Sequence, residues 1–180
     1  MLSLAEIGTF ARKSDALRCV IETPKGSSYK YGYDDRHRCL ELKKVLPEGM
    51  TFPFDFGFIP STRAGDGDPL DVLVLMDFSA LPLSLIEVRL LGAIKAEQKG
   101  SHEDWTRNDR LIAAANVAAT YLEVRSLDDL RPKLLDEIEA FFRQYNSLDG
   151  GEFRPLGRCG EGEAREIVEE GRRQFSNARG

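Results

Sequence analysis

The chain has 180 residues, 42% of them hydrophobic and 31% charged, carries a net charge of -5, and has no apolar stretch of membrane-spanning length; it reads as one ordinary globular domain off the membrane, large enough to bury a core without staples. That acidic balance disfavours generic binding to nucleic acid or anionic membranes, so any phosphate must be held by a local group of basic side chains. With two histidines, no Gly-rich loop ending in Gly-Lys-Ser/Thr and no Gly-x-Ser-x-Gly elbow, His-rich zinc sites, P-loop chemistry and serine or cysteine relays lack material.

From the start of the chain, Ser3 and Glu6 have capping-box spacing and predict a helix over 1–15, with Asp15 interrupting apolar residues that would otherwise suit a signal peptide. Strand character follows at 17–22, 28–34, 39–46, 54–59, 70–75, 85–96 and 109–116, separated by turn residues such as Lys25-Gly26, Asp34-Asp35 and Pro47-Glu48-Gly49. This spacing predicts a compact antiparallel sheet or small closed barrel over 17–116. At Ser126 the period changes to three and four residues through Leu127, Leu130, Leu134, Ile138, Phe141, Tyr145 and Leu148. A long amphipathic helix is expected there, with Asp128 and Asp129 at its electropositive start. Gly150-Gly151 ends it, 152–156 reads as a last strand and 163–175 as a closing helix, so that 126–178 forms a helical cover. Cys19, Cys39 and Cys159 are odd in number and widely separated, which suits reduced core thiols in a cytoplasm better than a disulfide framework.

The segment Asp66-Gly67-Asp68-Pro69-Leu70-Asp71 sets three carboxylates ahead of the apolar run Val72-Leu73-Val74-Leu75. Like charges packed so closely are costly unless a cation sits among them or the segment lies open to water. A hard divalent ion meets the first condition; an exposed Asp/Gly/Pro turn meets the second, and both readings stand on this segment alone. An EF-hand does not fit, because a loop started at Asp66 puts Leu70 at a ligand position and Asp71 where the turning Gly is needed.

Around this loop lie, in order, Val20-Ile21-Glu22, Tyr29-Lys30-Tyr31, Phe52-Pro53-x-x-Phe56-Gly57-Phe58-Ile59 and Phe141-Phe142-x-x-Tyr145. With these motifs the chain resembles the soluble, magnesium-dependent inorganic pyrophosphatases, from about Val20 to the last helix. The resemblance implies an α+β, mainly β fold, a small OB-like five-stranded barrel flanked by two C-terminal helices, as a single domain over 1–180. It implies hydrolysis of pyrophosphate, or a related phosphoanhydride, by a metal-activated water with Mg²⁺ as cofactor. A cytoplasmic homo-oligomer, often a hexamer in bacteria, is implied as well, with no nucleic-acid or membrane partner. By the same resemblance Asp66 and Asp71 ligate metal, Asp68 joins them and orients or deprotonates the bound water, and Glu22 supports the outer shell. Lys30, Lys44, Arg110 and Tyr145 would hold the phosphates. Such a set answers the chemistry, since pyrophosphate yields to water only when its negative charge is offset.

Taken without the resemblance, these residues have plainer roles: Glu22 and Lys30 as a cross-strand pair, Lys44 beside Lys43 on a solvated face, Tyr145 in the core and Arg110 at a strand edge. The match also breaks where the family carries acids, here Gly32, Gln98 and Asn108, with Glu97, Glu103, Asp104 and Asp109 as the neighbouring candidates to replace them. Asp109 is expected to point to the wrong side unless a bulge shifts the period. Phosphate-side groups thin in step, with Lys44 for an Arg, Phe52 and Phe56 for tyrosines and Asn146 for a Lys. Lys cannot reproduce the two-pronged grip of Arg. Two readings follow: a pyrophosphatase with a reduced or altered site, or an impaired relative that binds metal and phosphate as a regulatory or partner subunit. An OB-type nucleic-acid module would need a basic groove, which the acidic balance argues against.

Overall fold

The short apolar segments set between turn residues resolve into strands over most of the front of the chain. The computed structural model describes residues 3–178. Among them lie β1 (Leu17–Thr23), β2 (Tyr29–Asp34), β3 (Cys39–Val45), β4 (Asp55–Phe58), β5 (Asp71–Leu75), β6 (Leu85–Lys99), β7 (Thr106–Arg107), β8 (Arg110–Ala115), α1 (Leu134–Ser147), β9 (Glu152–Gly160) and α2 (Glu161–Asn177). The pairings β1 with β4, β4 with β5, β5 with β8, β8 with β6 and β6 with β1 run in a ring through five strands, antiparallel except for β5 and β8. Short β7 and long β9 extend the sheet along β6, while β2 and β3 form a separate hairpin. The expected mainly β fold with two helices is the one observed.

Core formation follows from burial on both faces of these strands. On β5, Val72 and Val74 enter one apolar cluster and Leu73 and Leu75 the other, all of them fully buried. Helix α1 sets Leu134, Ile138 and Phe142 on the cluster that holds Phe52 and Phe56, and α2 sets Ala164 and Val168 on the cluster of Cys19 and Ile21. Each large aliphatic side chain buried in this way contributes about 1.5–3 kcal/mol. The helices therefore hold the ring from two sides.

Three local expectations need correction. The capping box of Ser3 and Glu6 forms, but it caps only a 3₁₀ turn, Leu4–Glu6, and no helix occupies residues 3–15. Chain beyond that turn finds its partners on β1 instead: Phe10 bridges to Leu17, and Arg18 N–H donates to Thr9 O at 2.8 Å. A lone helix of that length is marginal in water, and the sheet edge offers a better use of the backbone groups. Similarly, the helix expected from Ser126 begins only at Leu134. A 3₁₀ turn, Leu127–Asp129, precedes it, then Pro132 removes an N–H donor and Lys133 takes φ +67. Leu127 and Leu130 still pack on the core, so the apolar period survives the break. Finally, Cys39 is exposed, whereas Cys19 and Cys159 are buried.

Asp55 is a buried carboxylate that holds two loops together. Its Oδ1 accepts the backbone N–H of Lys25 (3.2 Å) and of Ala80 (3.0 Å), and burial pushes its pKa above the usual carboxylate value. Asp55→Ala leaves both donors without an acceptor and is expected to lower stability by about 2 kcal/mol in urea denaturation. Because the folded value is raised, the ionised group weakens the fold progressively as pH climbs from the unfolded value through the folded one. Asp55→Asn keeps an acceptor and cannot ionise, so its unfolding midpoint should show a flatter pH dependence than wild type above pH ~4.

No helix among the described residues is long and apolar enough to cross a membrane.

Candidate active site

The aspartate loop is built by its glycine. Gly67 adopts φ +93, a left-handed value that costs a glycine nothing. The turn is tied by Gly67 N–H to Ala64 O (3.1 Å), by Ala64 N–H to Asp68 O (2.7 Å) and by Asp68 N–H to Asp66 Oδ1 (3.2 Å). Asp71 then opens β5, where the parallel register sets it directly opposite Arg110 of β8. Strand pairing, not sequence proximity, brings this acid to its base.

This loop forms one wall of a cleft of about 920 Å³. Of the residues expected from the sequence, Asp66, Asp68, Asp71, Glu22, Lys30, Arg110 and Tyr145 all line it. Lys44 is not among the lining residues. Its ammonium is paired with Asp149, donates to Tyr145 O at 3.3 Å and lies 4.0 Å from the centre of the Tyr145 ring. A bulge explains the difference: Lys30 faces Lys44 and Tyr31 faces Leu42, so Lys43 is the extra residue of β3, and Lys43 lines the cleft. The Lys43 stem covers Gly32, where an added Cβ would lie 3.1 Å from its Cε.

Charges in the cleft are coupled. Glu22 is buried; its Oε1 accepts Tyr33 N–H at 2.6 Å and its Oε2 lies 3.3 Å from the Lys30 ammonium. Burial raises the Glu22 pKa, with Lys30 opposing and the Asp71 charge adding to the rise. Lys30 also donates to Tyr31 O (2.8 Å) and stands 4.3 Å over the Phe56 ring. Asp66 is pushed up to about 6, first by loss of hydration in the cleft and then by the Asp71 charge, with Asp68 adding to it. The Tyr145 hydroxyl is raised to about 12 by burial, against the pull of Arg110.

Arg110 is the most buried base in the cleft, 3% exposed. Its Nη1 lies 2.6 Å from Asp71 Oδ2 and also donates to Asn108 Oδ1, and its Nη2 donates to Gln98 Oε1 at 2.9 Å. Nε is buried without a hydrogen-bond partner among the described residues. Asn108 in turn donates from Nδ2 to Asp66 Oδ2 at 2.6 Å. Gln98 and Asn108, the amides that stand where carboxylates were expected, thus bracket the guanidinium and one aspartate.

None of the acids proposed as replacements reaches the cleft. Asp109 is buried on the other side, where its Oδ1 accepts Ala96 N–H at 2.9 Å and it lines a separate hollow with Arg107 and Glu163. Glu97 is paired with Arg154, and Glu103 accepts Gly100 N–H at 3.2 Å. Neither Glu103 nor Asp104 lines the cleft. Conversely, the sequence reading missed Arg36 and Arg63 on the rim. Arg63 lies beside the aspartate turn, its Nη2 3.5 Å from where a Gly67 Cβ would sit. Its position three residues ahead of Asp66 was the available signal.

Among the described residues, no three His, Cys, Asp or Glu side chains gather tightly enough to hold a metal ion as they stand. Asp71 is held by Arg110 and Asp66 by Asn108. The donor set nevertheless suits a hard cation, since lost hydration and the charges of Asp71 and Asp68 raise the cost of ionising Asp66 and a dication would relieve it.

A mainly β fold whose cleft gathers aspartates with lysine, arginine and tyrosine has the groups to handle small polyanions. The comparisons make this specific. The family model "Inorganic pyrophosphatase" matches residues 19–176. The chain is 36% identical over 137 residues to the inorganic pyrophosphatase of Synechocystis sp., covering 76% of this chain and 78% of that protein. The crystal structure of inorganic pyrophosphatase from Thermus thermophilus superposes with a TM-score of 0.87 at 30% identity, covering 97% and 99% of the two chains. That from Helicobacter pylori gives 0.84 at 29% identity, over 95% and 99%. The chain belongs to the inorganic pyrophosphatase family. Members of this family are generally metal-dependent.

Proposed function

We propose that this chain hydrolyses inorganic pyrophosphate to two phosphates with Mg²⁺ as its divalent ion. The observation that carries the reading is the meeting, in one cleft, of the aspartate loop with Lys30, Arg110 and Tyr145, on the fold of a family named for that reaction. Asp66 and Asp71, joined by Asp68, would hold the ion, which supplies charge neutralisation and an acidified water when bound. Lys30 and the Tyr145 hydroxyl, which line the same cleft, bind phosphoryl oxygens. Arg110 offers its unpartnered Nε to the same substrate. Asp68, whose backbone is pinned by the Asp66 turn, accepts the proton of the attacking water. Glu22 holds Lys30 in position at 3.3 Å and supports the ion's outer shell from the cleft lining. Lys44 stays on Asp149 in this arrangement and reaches substrate only by leaving it.

A homo-oligomer, such as the hexamer that the resemblance implies, fits the apolar side chains left on the surface, with Phe78 84%, Leu81 79% and Val117 82% exposed. The cytoplasm fits cysteines that make no disulfide. The test is phosphate release from pyrophosphate by the purified protein. Turnover is expected with Mg²⁺, loss on chelation with EDTA and recovery on adding Mg²⁺ back. An impaired relative would instead bind a pyrophosphate analogue in calorimetry and release no phosphate with any divalent ion.

A further inference from the structure

We propose that Arg110 is a resident cation of the aspartate wall: its guanidinium occupies Asp71 in competition with the divalent ion, so ion loading at Asp71 requires the Arg110–Asp71 pair to open. This deepens the proposed function and rests on its assignment of a divalent ion to Asp66 and Asp71.

Geometry supplies the ground. The guanidinium is buried, it lies 2.6 Å from Asp71, and it is oriented by Gln98 at 2.9 Å and by Asn108 rather than by further acids. Neutral amides around a buried base leave Asp71 as its only carboxylate partner among the described residues. Breaking such a pair on one side strands a buried charge, which makes the pair a real competitor for any cation that approaches Asp71. Asn108 works in the same direction, since its amide donates to Asp66 Oδ2 and uses a lone pair that a metal would take. Nε, buried without an acceptor, remains free whichever partner Asp71 has, so the base can meet a phosphoryl oxygen after giving up the aspartate. The rings of Phe142 (4.8 Å) and Phe153 (5.6 Å) provide a surface for the guanidinium to rest on when the carboxylate is lost.

The expected consequence is a coupling between residue 110 and ion affinity that is independent of turnover. Binding of Mn²⁺ to the full chain, followed by the loss of the free-ion electron paramagnetic resonance signal, is the readout. Arg110→Gln removes the competitor and should tighten Mn²⁺ binding by about tenfold, within the usual range of site-to-site coupling, while phosphate release falls. Arg110→Lys keeps a charge but as a single point that cannot span Asp71 and Gln98 together, and it should tighten binding by about threefold. The second variant serves if the first does not fold, as judged by circular dichroism. Mn²⁺ affinity equal to or weaker than wild type in the folded variants overturns the proposal. Asp71→Asn separates the two levels: if it binds Mn²⁺ as tightly as wild type, the assignment of the ion to Asp71 fails, whatever residue 110 does.

Discussion

Asp71→Asn is expected to lower turnover of pyrophosphate on the order of 10³-fold at saturating Mg²⁺. The side chain has two functions at once. In the cleft it is one of the carboxylates assigned to the ion, and on β5 it is the counter-charge of buried Arg110 at 2.6 Å. An amide has nearly the same shape and can still accept one hydrogen bond from the guanidinium, so the strand register with β8 should hold. What disappears is the negative charge, and with it the means of retaining a dication beside the substrate. Stability should fall by about 2 kcal/mol, because Arg110 stays buried with a weaker partner. Assays are therefore run well below the variant's melting temperature, with folding checked by circular dichroism. A folded Asp71→Asn protein that keeps more than about a tenth of wild-type turnover would remove Asp71 from the ion site.

Gly57→Ala should cause a loss of stability above about 4 kcal/mol, which for a chain of this size means a melting temperature lower by roughly 10 °C or more, or no soluble protein. Gly57 sits on β4 opposite Ile21 of β1. A Cβ there would lie 1.9 Å from Val20 O, 2.8 Å from Val20 C and 2.9 Å from Ile21 Cα. All three are backbone atoms, so no rotamer change relieves the contact; the strands must part. Separation would disturb the site as well, since Glu22 follows Ile21 and Phe58 pairs with Asp71. Gly162→Ala is the control: nothing lies within 4 Å of its added Cβ, and it stands in the first turn of α2. There the change should be neutral or stabilising by less than about 1 kcal/mol in thermal melts. Equal effects of the two substitutions would show that the β1–β4 contact is not the reason for the glycine.

Tests of the metal reading and of the Arg110 pair use different readouts, and this matters because the cleft combines the charges of both. Asp66 rises to about 6 through lost hydration and the charge of its neighbours, and Arg110 is held between neutral amides. With Gln98 and Asn108 anchoring the guanidinium beside Asp71, part of the positive charge near the aspartates is covalently built into β8.

Strand positions were readable because short apolar segments bounded by turn residues report on local chain structure, and all the sequence-based strands are present within a few residues. The aspartate loop was readable too, since Gly67 and the like charges report on local geometry. Local signals failed where two outcomes use the same residues. Ser3 and Glu6 make the same capping box for one turn as for a helix, and only the offer of β1 as a backbone partner decided between them. Leu127 and Leu130 keep helical spacing on a segment that Pro132 had already broken. Side-chain destinations lay furthest out of reach. Lys43 replaces Lys44 in the cleft because of a bulge on one hairpin, and Arg110 meets Asp71 because the β5–β8 register sets them opposite each other; that Asp109 faces away, as expected, follows from parity alone. Residue types and spacing carry the chemistry available to a chain; which of those groups touch depends on register between strands distant in sequence, and register is set by the packing of the whole core.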